Sequence, residues 1–256
     1  MNNRRNPSQG NHFDKVFLVS FPKSGNTWMR FLLGTLLSNE KVDWKNINQY
    51  VFEIGTRPIA PIKHFNHVQY FKSHSYYDPS FQKVIYMVRD VRDVVISYYY
   101  YLLKRNVLID RVKLNEFIPQ FIKGDFDSFK WDEHVKSWLR NSHKIANGFH
   151  LVKYEDLQKQ PIVEMKKIMS FLNVDVNDEK IIDALNWSSF RNMRALEIEQ
   201  QNYSYMLRKS NKAIPFIRSG KVGEWKTELD QDQQELLKQA YGQTLIDLGY
   251  ETSLDW

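Results

Sequence analysis

Apolar residues fall into short unbroken runs, separated by longer stretches in which they recur every three or four positions. Residues 16–21, Val-Phe-Leu-Val-Ser-Phe, are such a run and predict a buried strand. Pro22 and Gly25 then mark a turn, and residues 27–37 take up helical spacing. The same reading predicts strands over 68–72, 83–88 and 149–153, and helices over 91–104, 114–122 and 129–142. Pro161 suits the first turn of a helix reaching residue 172, and another helix begins at 179. Asp230 suits the N-cap of a last helix over 231–248. Residues 40–66 carry Pro58, Pro61 and scattered aromatics without a period, which predicts a loop or short helices. Residues 197–224 also lack a period and predict a long loop over a site. Residues 1–13 are expected to form a flexible lead to a single domain, 14–256.

Strands separated by helices predict an α/β fold, a parallel sheet flanked by helices. Ligands of such sheets bind at the carboxyl ends of the strands. The turn after Phe21, the segment after Lys72 and Arg89 after Val88 would gather there.

Composition narrows the partners. A chain of 256 residues with 42% hydrophobic content fits one domain with a sizeable core. No apolar run reaches the roughly 18 residues of a membrane span. The opening residues Met1 to Asn6 are polar and lack the apolar stretch of a signal peptide. There is no cysteine, so neither disulfides nor cysteine zinc sites exist, and a cytoplasmic location is expected. The net charge of +6 suits an anionic ligand. Lysines and arginines are spread along the chain with no run beyond two, which argues against a nucleic-acid partner.

The sharpest chemistry lies in the first turn. A strand, a glycine-containing turn and a helix start form an anion cradle, where free backbone N–H groups and the positive helix end face one point. Lys23 and the hydroxyls of Ser24 and Thr27 sit on it. This is not the nucleotide-kinase loop, because the lysine precedes the glycine and there is no earlier glycine.

Pro22-Lys23-Ser24-Gly25-Asn26-Thr27-Trp28 resembles the 5′-phosphosulfate loop of sulfotransferases that use 3′-phosphoadenosine-5′-phosphosulfate (PAPS). Five further blocks resemble that family in order: Phe71-Lys72-Ser73-His74; residues 84–99 around Arg89; Val152 to Leu157 around Tyr154; Ser188-Ser189-Phe190; and Arg218 to Lys226. The soluble, cytosolic-type branch is the nearer match, and Asn26 and the short length resemble bacterial members that act on secondary metabolites. The resemblance implies a P-loop-like sulfotransferase fold and transfer of a sulfuryl group from PAPS to a hydroxyl or amine of a small-molecule acceptor. The product nucleotide is 3′,5′-adenosine bisphosphate (PAP), and no metal is required.

The resemblance also assigns roles. His74 is the general base, with an ordinary pKa near 6.5 suited to that task. His64 and His67 are runners-up outside any motif. Lys23 neutralises the leaving phosphate, and Lys72 orients the transferring group or forms a structural ion pair. Ser24, Gly25, Asn26 and Thr27 complete the cradle. Arg89, Ser97, Arg218, Ser219 and Gly220 hold the 3′-phosphate. Trp28 and Phe190 sandwich the adenine, with Tyr154 and Ser188 at its edge. Arg92, three residues beyond Arg89, is expected to pair with Asp90 or Asp93.

Departures from the family pattern matter. Its Arg-Lys-Gly reads Arg218-Ser219-Gly220, which drops a charge that Lys221 stands near enough to replace. The dimer segment of animal relatives keeps its ends at Lys226 and Glu235 but not its centre, which leaves monomer and homodimer both open. Two competing readings are a phosphotransferase with an altered loop and a non-catalytic nucleotide-binding protein. Lys23, Lys72 and His74 argue against the second, because binding alone needs no base. Acceptor walls are expected from residues 40–66, 76–82, 104–130 and 197–217. Tyr76, Tyr77, Phe81, Tyr203 and Tyr205 suit a flat scaffold, and Glu53, Asp78 and Glu197 suit a cation.

Overall fold

A computed structural model describes residues 13–109, 112–126, 130–204 and 207–256. Its strands are β1 (Asp14–Ser20), β2 (Val51–Glu53), β3 (Val68–Ser73), β4 (Val84–Val88) and β5 (Phe149–Lys153). They form one sheet in the order β2-β3-β1-β4-β5, and every pairing is parallel. The register sets Leu18 beside Lys72 on one side and Ile85 on the other. The helices are α1 (Asn26–Ser38), α2 (Ile47–Tyr50), α3 (Val91–Lys104), α4 (Leu114–Lys123), α5 (Trp131–Asn141), α6 (Tyr154–Lys159), α7 (Pro161–Phe171), α8 (Asp178–Trp187), α9 (Phe190–Gln200), α10 (Trp225–Glu228) and α11 (Gln231–Asp247).

The unbroken apolar strands follow from burial on both faces. Phe17 and Val19 point to one face with Val84, Tyr86 and Val88, under residues of α3, α4, α5 and α11. Val16 and Leu18 point to the other with Ile85 and Met87, under α1, α7 and α8. A third cluster joins Phe31 of α1 to Trp44, Tyr50 and to Met193 and Leu196 of α9.

Chain paths leave β1 and β4 in opposite directions along the sheet. A crevice therefore opens at their carboxyl ends, the usual ligand position in such folds.

Three segments differ from expectation. The aperiodic stretch 40–66 holds α2 and the edge strand β2, a three-residue element too short to show alternation. Residues 154–159 form α6, and α9 runs on to Gln200, into the stretch expected as loop. Residues 1–12 of the expected lead, Phe129 of the expected helix and Tyr205 lie outside the described residues. Phe13 stacks on His64 with ring centroids 4.4 Å apart.

Candidate active site

A cavity of about 540 Å³ opens at the crevice. The turn after β1 forms its floor. Two residues there take left-handed backbone, Lys23 at φ 69° and Gly25 at φ 95°. A side chain on Gly25 would place its Cβ 2.5 Å from the Tyr154 ring, so glycine is required by space as well as by conformation. Gly25 is the N-cap of α1, and no side chain caps that helix, so its first N–H groups are left for a ligand. Asn26 turns inward and donates to Leu18 O at 3.4 Å and Ser20 Oγ at 3.2 Å, which ties the helix start back to β1.

Lys23 Nζ lies 4.3 Å from the centre of the Phe216 ring and 4.7 Å from that of Tyr101. Its pKa is lowered to about 7, first by burial, then by the like charges of Arg89 and Arg218; Glu197 opposes the shift and Lys104 adds to it.

His74 follows β3. Its Nδ1 lies 2.6 Å from the Ser20 carbonyl oxygen, a contact that requires the proton on Nδ1 and leaves the Nε2 lone pair free. Burial, and then the Lys72 charge, hold its pKa well below the ordinary value, so the imidazole is neutral near pH 7. Lys72 donates to Glu53 Oε1 at 2.6 Å, and Glu53 Oε2 lies 3.6 Å from Arg30. Burial works against it, yet Lys72 and Arg30 hold the Glu53 carboxyl below its ordinary range. The ion-pair alternative for Lys72 is thus realised in this structure, with the ammonium still on the cavity wall.

Arg89 stacks on the Tyr154 ring at 4.5 Å and donates to Lys221 O at 2.8 Å. Its NH2 lies 3.5 Å from Asp93, which also accepts from the N–H groups of Gly223 at 2.8 Å and Trp225 at 3.0 Å. Arg92 turns away: it clasps Asp90 at 2.7 Å and Glu251 at 2.5 Å and stacks on Trp225. Arg218 makes a two-pronged pair with Glu224 and lies over the Tyr100 ring. Tyr154 Oη and Gln158 Nε2 both donate to Gly220 O, at 3.1 and 3.0 Å. Ser189 caps α9. Its neighbour Ser188 is fully buried on the cavity wall. Phe190 stays 46% exposed on that wall, an aromatic face open to a flat partner.

Among the expected site residues, all but Ser24 line this one cavity; Ser24 is buried just beneath it. His64 and His67 do not line it. The expected carboxylates for a cation are all engaged. Glu53 is paired, Asp78 accepts from Ser80, and Glu197 pairs with Lys104 at 3.3 Å and Arg194 at 3.1 Å. The motif reading missed Ser20, Tyr101, Phe216, Gln158 and Glu224. One signal was available for Tyr101: it follows Asp93 and Ser97 at four-residue steps, which is one helical face.

Among the described residues, five buried polar atoms at this cavity find no hydrogen-bond partner: Ser24 Oγ, Asn26 Oδ1, Arg89 Nε, Ser188 Oγ and Arg218 Nε. Unpaired buried groups are costly, so their concentration at one cavity marks a place for a polar ligand. Mostly donors beside the open Phe190 ring and the half-buried Trp28 fit a phosphorylated nucleotide.

A family model described as a sulfotransferase domain matches residues 13–249. Sulfotransferase 1 family member D1 of Mus musculus is 27% identical over 91% of this chain and 84% of its own length. An amine sulfotransferase of Oryctolagus cuniculus is 27% identical over 91% of this chain and 81% of its own. Among solved structures, mouse sulfotransferase SULT7A1 complexed with PAP superposes with a TM-score of 0.71 at 25% identity, over 94% of this chain and 88% of that one. Retinol dehydratase in complex with androsterone and PAP has a TM-score of 0.76 at 18% identity, over 91% of this chain and 81% of its own, and shows the shared fold.

Proposed function

The chain belongs to the sulfotransferase-domain family, and from that premise we propose how its cavity performs sulfuryl transfer. It is a PAPS-dependent sulfotransferase. The observation that carries the residue assignments is the meeting of Lys23, Arg89 and Arg218 with unpaired buried donors, the Phe190 and Trp28 rings and the free Nε2 of His74.

The α1 start, Lys23, Ser24 and Thr27 hold the 5′ end of the donor. Arg89, Ser97, Arg218, Ser219 and the Gly220 backbone hold its 3′-phosphate. Trp28 and Phe190 flank the adenine, and Ser188 and Tyr154 meet its edge. When bound, PAPS supplies a sulfuryl group whose departure leaves charge on a phosphate oxygen. Lys23, as the ammonium, neutralises that charge, so no metal is needed. His74 Nε2 removes the acceptor proton, and the Ser20 carbonyl steadies the imidazolium formed through Nδ1–H. Lys72, held by Glu53, steers the oxygens of the group in transit. The acceptor is a small molecule with a hydroxyl or amine, entering beside Tyr101 and Phe216. A cysteine-free chain fits a cytoplasmic setting, the compartment we propose.

Calorimetry tests the reading. PAP is expected to bind at least about a hundredfold more tightly than 5′-AMP, since charge-assisted contacts contribute roughly 1.5–3 kcal/mol each. Equal affinity would remove the 3′-phosphate assignment. Binding of ATP only with magnesium, and none of PAP, would favour the phosphotransferase reading.

A further inference from the structure

Glu197 stands outside every motif block. Its carboxylate, in a residue only 4% exposed, holds four groups at once. Oε1 accepts from Phe216 N at 2.6 Å and lies 3.3 Å from Lys104 Nζ. Oε2 accepts from Ile217 N at 2.9 Å and lies 3.1 Å from Arg194. Lys104, at the end of α3, donates in turn to Ile214 O at 2.8 Å. The chain that these two residues pin is the one that sets the Phe216 ring under Lys23 and leads directly into Arg218.

We propose that Glu197 is a positioning residue for the transfer reaction: one buried carboxylate fixes the backbone of Phe216 and Ile217, and through it both the seat of Lys23 and the approach of Arg218. The proposal rests on the functional reading above. Two independent features point the same way. The two N–H groups it satisfies are consecutive, so the carboxylate fixes the direction of the chain as well as its place. Its charge also favours the Lys23 ammonium, while Asp93 and Glu224 pair with the neighbouring Arg89 and Arg218. The groups facing Lys23 are Arg89 before α3, Tyr101 and Lys104 on α3, Arg218 and Phe216 on the covering segment, and Glu197 on α9. Of these charges, Glu197 alone favours the ammonium.

The test uses PAP and the full chain, so it needs no acceptor. Bisphosphate binds the charged lysine. Affinity should therefore be full below the free-lysine pKa of about 7 and fall as pH rises through it. In Glu197→Gln the break should move to lower pH, weakening binding at pH 8 by about tenfold for each unit of the move. Amide hydrogen exchange at Phe216 and Ile217 should also quicken. A carboxylate that only supported folding would lower affinity equally at every pH and leave the break in place.

Glu197→Gln strands a buried ammonium, so Glu197→Gln with Lys104→Gln is measured beside it to keep a folded variant in hand. There the break should lie between those of the wild type and the single variant, because Lys104 acts on Lys23 in the opposite sense. An unmoved break or unchanged exchange at the two amides in either variant overturns the proposal. Failure of the wild type to bind PAP would instead overturn the functional reading beneath it.

Discussion

Between Ser20 and Asn26 the chain takes its shape from near neighbours, whereas residues 214–225 take theirs from side chains far away in sequence. The first region is a turn of seven residues with two left-handed positions, closed by the Asn26 side chain onto Leu18 and Ser20. The second is held by Glu197 and Lys104 at Phe216, Ile217 and Ile214, by Tyr154 and Gln158 at Gly220, by Arg89 at Lys221, and by Asp93 at Gly223 and Trp225. Both face the same cavity. A rigid floor suits chemistry that depends on alignment, and a pinned cover suits a site that must admit and release a nucleotide.

Removing the base from the floor should have the largest effect. His74→Ala should lower turnover by about 10²–10⁴-fold while leaving PAP affinity near wild type. The loss should lie at the upper end for an alcohol of high pKa and shrink for an acidic phenol. Lys23→Ala should slow both acceptors, because its charge acts on the leaving group. Near-normal turnover of the alcohol by His74→Ala would place the base elsewhere.

A matched pair of glycine substitutions contrasts floor and cover directly. Gly25→Ala drives a Cβ to 2.5 Å from Tyr154 at φ 95°, and should cost about 1–3 kcal/mol of stability as well as PAP binding. Gly220→Ala meets the movable Phe190 ring at 3.1 Å with φ 68°. It should cost about 1 kcal/mol, seen mainly in affinity. Thermal melts and calorimetry on both variants decide this, and equal melting losses would erase the distinction between the regions.

The smallest effect is in the acid limb of the rate profile. The neutral imidazole is the working form, and burial holds the His74 pKa well below 6.5. Log kcat/KM should therefore stay flat as pH falls past 6.5 and decline only at lower pH. A fall in rate with decreasing pH that breaks at or above 6.5 would mean that the base is less enclosed than its surroundings indicate; the Lys23 break near 7 runs the other way.

The same contrast explains what could be read in advance. Strands β1 and β4 were legible because burial on both faces makes them continuous apolar runs; β5, an edge strand with only Val152 buried, showed as a short Phe-His-Leu-Val run. The floor was legible because its Pro, Lys, Gly and Thr act within a few residues of one another. Strand β2 carries too few residues to declare a period. Helix α9 was not legible: Ser189 stood only as part of a motif block, and the buried Glu197 and Gln200 read as polar surface. Glu197 and Glu224 have meaning only beside Lys104 and Arg218, and no spacing along the chain announces such pairs. Arg92 is the converse case: its neighbour Asp90 is two residues away, and that pairing was foreseen.

Arg89, Arg218 and Lys72 each already hold a carboxylate, from Asp93, Glu224 and Glu53. Among the described residues Lys23 has no such partner and rests on aromatic rings instead. The site's own charges are thus close to balanced, and the donor enters by ion exchange, taking cations from internal anions. Its affinity reports the difference between old and new pairs, so added salt should weaken binding less steeply than a count of four cations suggests.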